Sequence, residues 1–379
     1  MTKRFQNHKL SVLKVVFVVS TLGQTGPTRQ LLNIIKYLNS DRIRATIVTL
    51  SHEPIKTLKP EFDALDVQIY TLGLCRITGL LLGRYELRKL LSRVRPHIIH
   101  SQGIRSDLLV ANLTDYSHRL TTQRNIPEHD YPLLYGKLLG TLLAQIHRKA
   151  LTHIPNLVVC STSIAHSSRG IESIIIRNGV DLAWCPELPT TGERSSARAA
   201  LGLGQNGLIF AYAGPLIKRK NPDFLIKSFL QWDKHSLHQL LLLGDGALIE
   251  TCRELAQNHA NVMVMGHISD ISPYLCAADV FLSASKSEGF PNSVLEALMF
   301  GLSLILSDIA PHREIVENLP QGVQLFSLDS TIEFFKSLDL IHIDEETRRQ
   351  ARRLAELEYS AGAMAQRYMD LYETIYSDQ

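Results

Sequence analysis

The stretch Val15-Val16-Phe17-Val18-Val19-Ser20-Thr21-Leu22-Gly23-Gln24-Thr25-Gly26-Pro27 decides the fold. A β-branched run of buried-strand length ends in a glycine loop. Residues 28–38 follow, with Leu31, Leu32, Ile34, Ile35 and Leu38 in amphipathic helical spacing. Strand, glycine loop and helix open a βαβ unit. Further apolar runs at 45–50, 67–70, 98–101 and 157–161 are separated by helix-length intervals, an alternation that predicts a parallel sheet covered on both faces. The pattern restarts after the turn signal Asn178-Gly179-Val180-Asp181 and a polar stretch, 186–196, read as a linker. Strands are then expected at 208–213, 239–243, 262–265, 280–283 and 303–307, with a helix at 222–229. Two successive α/β halves predict two Rossmann-like lobes facing a central cleft: 1–184 first, 185–360 second. Met364, Tyr368, Leu371, Tyr372 and Ile375 sit at helical spacing, so 361–379 is expected to be a terminal helix returning to the first lobe.

Composition narrows the classes. Hydrophobic residues are 45% and charged residues 20% of 379, which excludes a disordered or collagenous chain. A net charge of +3 argues against a nucleic-acid partner. Its distribution is uneven: residues 1–184 carry 24 basic and 12 acidic side chains, residues 185–379 carry 16 and 25. The five cysteines have no CxxC spacing and no zinc-type histidine pairing, which predicts a reducing compartment and no structural metal. Met1-Thr2-Lys3-Arg4 runs into a short apolar stretch broken by Lys14, without a small-residue cleavage site. No segment approaches the roughly 20 apolar residues of a bilayer span. A cytoplasmic protein is expected.

The chemistry concentrates in 277–297, Ala-Ala-Asp-Val-Phe-Leu-Ser-Ala-Ser-Lys-Ser-Glu-Gly-Phe-Pro-Asn-Ser-Val-Leu-Glu-Ala. It reads as strand, small-residue loop, and a helix starting near Pro291, where the free amides of Asn292, Ser293 and Val294 predict an anion site aided by the helix dipole. Glu288 and Glu296 flank that site. Carboxylates are poor neighbours for phosphate but good acceptors for sugar hydroxyls, so the pair suits a hydroxylated ring on each side of a diphosphate.

The context Glu288-Gly289-Phe290-Pro291-x-x-x-x-Glu296-Ala297, with Ala278-Asp279 upstream and Gly301 through Ser307-Asp308 downstream, resembles the signature of the retaining, two-lobed GT-B glycosyltransferases of family 4 (glycosyl transferases group 1). Weaker likeness extends over nearly the whole chain. The resemblance implies that Glu288 contacts the donor sugar, Glu296 the nucleoside ribose, and the stretch between them, Gly289, Phe290, Pro291, Asn292, Ser293 and Val294, the diphosphate. The bland alternative makes both glutamates solvated helix-end residues.

Ala213-Gly214-Pro215-Leu216-Ile217-Lys218-Arg219-Lys220-Asn221 is similar to the family's Gly-Arg-Leu-x-x-x-Lys-Gly/Asn motif, whose Arg and Lys clamp phosphates. Lys220 holds the Lys position. Pro215 replaces the Arg, leaving the clamp one cation short unless Lys218 or Arg219 substitutes. Gly23-Gln24-Thr25-Gly26-Pro27-Thr28-Arg29 resembles the Gly-Gly-x-Glu-Arg loop, which puts Gly26 beside the donor, although an ordinary βα turn explains it equally. Gly266 lies in the segment that, by resemblance, meets the nucleobase through backbone groups.

Pro96-His97-Ile98-Ile99-His100-Ser101-Gln102-Gly103 resembles the family's Pro-Asp-x-x-His-x-His-Gly, with His100 on the pattern and Gln102 where a second His often sits. Arg124, in Thr121-Thr122-Gln123-Arg124-Asn125, replaces the histidine of a Thr-x-His-Asn context. Retaining enzymes of this type use the leaving diphosphate as base, so Arg124 is expected to steady that diphosphate or an acidic acceptor. His100, His129 and Asp130 are acceptor-side candidates.

Arg84, Arg88 and Arg95 share a stripe with Lys89 and Arg93 beside it and Leu80, Leu87, Leu91 and Val94 behind, and 133–150 mixes leucines with Lys137, Arg148 and Lys149. Either is an ordinary domain helix or a basic amphipathic one that meets an anionic membrane.

The expected protein is thus a retaining glycosyltransferase. It moves a hexose-type sugar from a nucleoside-diphosphate sugar to a lipid-linked glycan in cell-surface polysaccharide or lipopolysaccharide synthesis, at the inner face of the cytoplasmic membrane. Glu288, Lys220 and Arg124 carry the catalysis, and no metal or further cofactor is expected. The rivals are a sugar-nucleotide 2-epimerase of the same architecture and a non-catalytic sugar-nucleotide-binding subunit.

Overall fold

The computed structural model describes residues 12–168, 170–319 and 321–377; Met1–Arg4 and the Leu80 side chain lie outside what it describes. In chain order the elements are β1 (Leu13–Val19), α1 (Gly26–Lys36), β2 (Ile43–Thr49), α2 (Lys59–Asp63), β3 (Gln68–Thr71), α3 (Arg76–Val94), β4 (Ile98–Gln102), α4 (Ile104–Ala111), β5 (Arg119–Gln123), α5 (Pro127–Tyr135), α6 (Lys137–Leu151), β6 (Asn156–Val159), α7 (Thr162–Ser167) and β7 (Ser173–Ile175). The second series is α8 (Thr191–Ala200), β8 (Ile209–Ala213), α9 (Pro222–Trp232), β9 (Gln239–Leu243), α10 (Ile249–Ala256), β10 (Val262–Gly266), α11 (Ser272–Ala277), β11 (Val280–Ser283), α12 (Asn292–Met299), β12 (Ser303–Ser307), α13 (Ala310–Val316), β13 (Val323–Phe326), α14 (Thr331–Leu340) and α15 (Glu345–Glu358), before α16 (Ala361–Ser377) closes the chain.

These form two compact units: residues up to Asn178 together with those from Ala361 onward, and Gly179–Ser360. The first holds a seven-stranded sheet of order β3-β2-β1-β4-β5-β6-β7, the second a six-stranded sheet of order β10-β9-β8-β11-β12-β13. All pairings are parallel. In each sheet the order reverses beside the first strand, between β1 and β4 and between β8 and β11. Such a switch point opens a crevice at the carboxyl ends of the strands.

In the first unit, Val16, Val18, Ile99, Leu87 and Leu91 bury one sheet face under α3 and α4. Phe17, Leu31, Ile34, Ile98 and Leu120 bury the other, joined by Met364, Tyr368 and Tyr372 of α16. The spacing of those three places them on one stripe of the terminal helix. In the second unit Phe210, Leu225, Phe229, Leu242, Val280 and Phe334 form the corresponding core.

Three expectations are corrected. The division falls at Asn178/Gly179, not at 184/185. The polar stretch taken as a linker starts α8: Thr190 and Glu193 form a capping box, each side chain bonding the other's backbone amide. Asp279 then anchors that helix, accepting from Arg198 Nη2 at 2.6 Å, from Arg194, and from the Ile209 amide at 2.8 Å. Finally, β5, β7 and β13 had no counterpart in the apolar pattern; β5 is buried but polar, Arg-Leu-Thr-Thr-Gln, while β7 and β13 are sheet edges. The two edge strands are three and four residues long and only partly covered, so they lack a strong period.

Beside the second switch point, just past the ends of β8 and β9, the backbones come close. A Cβ on Gly244 would stand 1.8 Å from the Gly214 carbonyl oxygen, a backbone-to-backbone clash that no rotamer relieves. Gly192, by contrast, has open space around it inside α8. Gly244→Ala is therefore expected to destabilise the protein by about 3 kcal/mol or more. Gly192→Ala should stabilise it by up to about 1 kcal/mol. Urea unfolding of both variants checks the opposite signs.

Candidate functional site

The loops that follow β8 and β11 are stitched together at the switch point of the second unit. The Lys286 amide donates to the Arg219 carbonyl at 2.8 Å, and Arg219 Nη1 donates to the Ser287 carbonyl at 2.5 Å. This brings two of the first loop's three cations onto the carboxylate of the second. Glu288 Oε2 lies 3.0 Å from Arg219 Nη1, and Oε1 pairs with Lys220 Nζ. The Glu288 side chain is only 6% exposed. Burial pushes its carboxyl upward, but Lys220 and Arg219, with a hydrogen bond from Ser285, outweigh burial and hold it down to about 2. One carboxylate between two cations leaves the cluster net positive.

The second cation on Glu288 is Arg219. Lys218 is exposed, and Pro215 is an exposed turn residue whose carbonyl accepts from Tyr212 Oη at 2.8 Å. Gly214 and Gly266 end β8 and β10 in conformations that favour glycine.

The helix that follows differs from the sequence reading in one respect. Pro291 is the N-cap of α12, not its first residue, and no side chain caps it. The Val294 amide donates to the Pro291 carbonyl at 3.2 Å, so that amide is not free for an anion. Asn292 and Ser293 are half-buried in the first turn, and Glu296 is half-buried one turn on. Gly289 is half-buried, while Phe290 is buried edge-on against Tyr359, with ring centroids 5.6 Å apart.

His312, at the start of α13, was not singled out in the sequence. It is fully buried, with Nδ1 2.8 Å from the Ser307 carbonyl, so Nδ1 carries the hydrogen. Ser307 Oγ in turn donates to the Ser285 carbonyl at 2.6 Å, tying the histidine to the loop that carries Glu288. Burial lowers its pKa to about 4 against the pull of Glu288. A lone histidine in Ala310-Pro311-His312-Arg313 has no spacing partner, so only the tertiary contact reveals it.

In the first unit, Gly26 is the exposed first residue of α1, whose N-cap Thr25 accepts from the Thr28 amide. His100 is corrected: it does not face an acceptor. It is fully buried, Nδ1 at 2.8 Å from Tyr372 Oη and Nε2 at 2.8 Å from Thr122 Oγ1, and burial together with Arg124 lowers its pKa to about 3. Arg124 follows β5 and donates to Asn178 Oδ1. His129 is exposed and Asp130 half-buried in the first turns of α5. A buried chain that the sequence did not reveal joins α4, α5 and α6: Tyr131 Oη to His147 Nδ1 at 2.8 Å, and His147 Nε2 to Asp107 Oδ2 at 2.8 Å. Among the described residues no group of three or more His, Cys, Asp or Glu could hold a metal, all five cysteines are free thiols, and no helix is long and apolar enough to cross a membrane.

Residues 207–339, most of the second unit, match the family model described as Glycosyl transferases group 1. The chain is 22% identical to the O-antigen biosynthesis glycosyltransferase WclY of Escherichia coli, over 97% of this chain and 99% of that one. It is 30% identical, over 42% of this chain and 43% of that one, to the UDP-Gal:alpha-D-GlcNAc-diphosphoundecaprenol alpha-1,3-galactosyltransferase of Escherichia coli. Among solved structures, Anabaena Alr3699/HepE in complex with UDP and glucose superposes with a TM-score of 0.78 at 16% identity, covering 96% of this chain and all of that one. The two parallel sheets with their helices match the two-lobed GT-B fold of such structures.

The two buried histidines make stability depend on pH. Each stays neutral when folded until about pH 3 (His100) or 4 (His312), whereas in the unfolded chain each takes up a proton near 6.5. The unfolded state thus binds more protons, and stability falls as pH drops from about 6.5. Each histidine contributes a slope approaching about 1.4 kcal/mol per pH unit. Urea unfolding at pH 7, 6 and 5 should show this slope, and His100→Gln should remove one histidine's share. An unchanged slope in that variant contradicts the buried neutral assignment.

Proposed function

We propose that this chain, whose residues 207–339 match the Glycosyl transferases group 1 model and whose two sheets match the GT-B fold, moves a hexose-type sugar from a nucleoside-diphosphate donor to a lipid-linked glycan, in O-antigen or lipopolysaccharide-type assembly at the inner face of the cytoplasmic membrane. The anomeric configuration is retained. The observation that carries this reading is the buried Glu288, Lys220 and Arg219 cluster at the switch point of the second unit. A net positive, desolvated pair of loops suits a diphosphate. Support for the acceptor comes from relatives whose names specify O-antigen biosynthesis or a diphosphoundecaprenol-linked sugar.

Charge develops on the diphosphate as the bond from the anomeric carbon to its oxygen breaks. Lys220 and Arg219 stabilise that charge, and the amides of Asn292 and Ser293 at the start of α12 add donors. The acceptor hydroxyl oxygen bonds to the anomeric carbon on the face the diphosphate leaves, and its proton passes to a diphosphate oxygen. Glu288, ionised down to about pH 2, is an acceptor only and holds sugar hydroxyls, while Glu296 takes the ribose. Gly214 and Gly266 let backbone approach the donor, and His129 and Asp130 are left as acceptor-side groups. With two cations at the phosphates, no metal and no further cofactor is proposed.

Peripheral contact with an anionic membrane belongs to the same reading. On α5 and α6, Leu133, Leu134, Leu138, Leu139 and Leu142 are each more than half exposed. Residues 131–151 contain no Asp or Glu but do contain Lys137, Arg148 and Lys149. An apolar surface edged by cations fits an anionic lipid interface.

Incubation with UDP-sugars and a polyprenyl-diphosphate-linked sugar should yield a product with the donor's anomeric configuration by NMR. Glu288→Gln should lower turnover by about a hundredfold or more. An epimerised sugar nucleotide formed without acceptor would replace transfer by epimerisation, and full turnover in the variant would remove Glu288 from the site. In sedimentation with vesicles, binding should require phosphatidylglycerol, and Leu138→Glu with Leu142→Glu should abolish it; equal binding by the double variant refutes the membrane face.

A further inference from the structure

A second group of buried polar atoms lies in the first unit, at the carboxyl ends of β4 and β5. His100 and Thr122 face each other on the side of the sheet covered by α16, as their 2.8 Å contact shows. Side chains alternate along a strand, so Gln102 and Arg124, each two residues further on, emerge on that same side. They stand one repeat beyond His100 and Thr122, next to the switch between β1 and β4.

The floor beneath them is closed. His100 bonds Tyr372 Oη and Thr122 Oγ1, and Thr122 Oγ1 meets Tyr368 Oη at 2.9 Å. Arg124 is fixed from one side by Asn178, through Nη1. Its guanidinium also hydrogen-bonds the Tyr368 hydroxyl, which meets Thr122 Oγ1 as well. Among the described residues, Arg124 Nε and Nη2 and Gln102 Nε2 are buried without a hydrogen-bond partner, although Arg124 as a whole is half-buried. Gln102 as a whole is 9% exposed.

Buried N–H groups left unpaired are costly. Three donors, two of them on the Arg124 cation and one on Gln102, are thus left without a protein acceptor at the ends of neighbouring strands. Their chemical complement offers only acceptors and carries negative charge.

We propose that Arg124 and Gln102 form an oxyanion site in the first unit, which takes a phosphoryl or carboxylate group of one of the two substrates. Arg124 supplies the charge and two N–H donors, and Gln102 supplies a third that fixes orientation. The geometry differs from what a histidine at position 124 would give, because a neutral imidazole offers one donor and no charge. Which substrate brings the anion rests on the transferase reading; the existence of the site does not.

The test uses the full chain labelled with 15N-arginine. The Arg124 Nε–H resonance is assigned by its loss in Arg124→Lys, and inorganic pyrophosphate is added. A saturable shift of that resonance, with affinity weakened about tenfold in Gln102→Leu, is the expected result, since a hydrogen bond to a charged group is worth that much. UDP alone and a short-chain polyprenyl diphosphate alone then separate the sources: the one that moves the resonance identifies the substrate that carries the anion. Arg124→Gln should raise the KM for that substrate about tenfold or more, with partial rescue by Arg124→Lys and an unchanged melting temperature. If Arg124→Gln fails to fold, the same KM comparison is made with Gln102→Leu. An Arg124 resonance unmoved by all three probes, while that of Arg219 responds, overturns the proposal and leaves the donor site of the second unit intact. Loss of sugar transfer with the Arg124 shift preserved has the reverse meaning.

Discussion

Everything at the site of the second unit follows from one carboxylate kept ionised out of water. Glu288 is nearly enclosed, and burial alone would neutralise it. It stays charged because Arg219 and Lys220 reach it from the loop after β8. That loop can reach it only because β8 and β11 are neighbours at the reversal of strand order and because Gly244 lets the backbone pass close to Gly214. Sheet topology, glycine placement and the charge state of one side chain are therefore a single constraint. A protonated Glu288 would turn from acceptor to donor and release both cations, and the loops would lose the attraction that holds them together.

The first unit solves a different problem. Its polar residues near the switch point are mostly satisfied within the protein: His100 by two hydroxyls, Asp107 by Ser101, Thr121 and His147. Such networks rigidify a core when every member is paired. Arg124 and Gln102 stand out because they sit at the top of this satisfied stack with donors left over.

Much of this was readable from residue order. The runs at 280–283 and 303–307 became β11 and β12 with the same bounds, and Pro291 located the helix start to within a residue. These succeed because the buried middle of such a strand is apolar and a proline favours the opening of a helix; β5, buried yet polar, shows no such run. The failures have equally local causes. The 186–196 stretch looked like a linker because its composition is polar, although Thr190 and Glu193 carried the capping signal. The edge strands β7 and β13 are too short and too exposed to show a period. His100 matched a motif, but a motif records residue type and not the partners that enclose it; Tyr372 lies 272 positions away. His312 had no motif at all, and its tie to Ser307 and Ser285 exists only once β11 and β12 lie side by side.

The wall of the first unit formed by α16 comes from the far side of the second unit in the chain. On the ribosome, β1 to β7 are complete long before Tyr368 and Tyr372 emerge, so Phe17, His100 and Thr122 must wait, uncovered, for some two hundred residues to be translated. The second unit, continuous from Gly179 to Ser360, faces no such delay and can reach its native state first. Assembly therefore runs against the order of synthesis: the half made earlier is the half finished last, and a nascent chain halted before Ala361 presents an open apolar face for chaperones to cover.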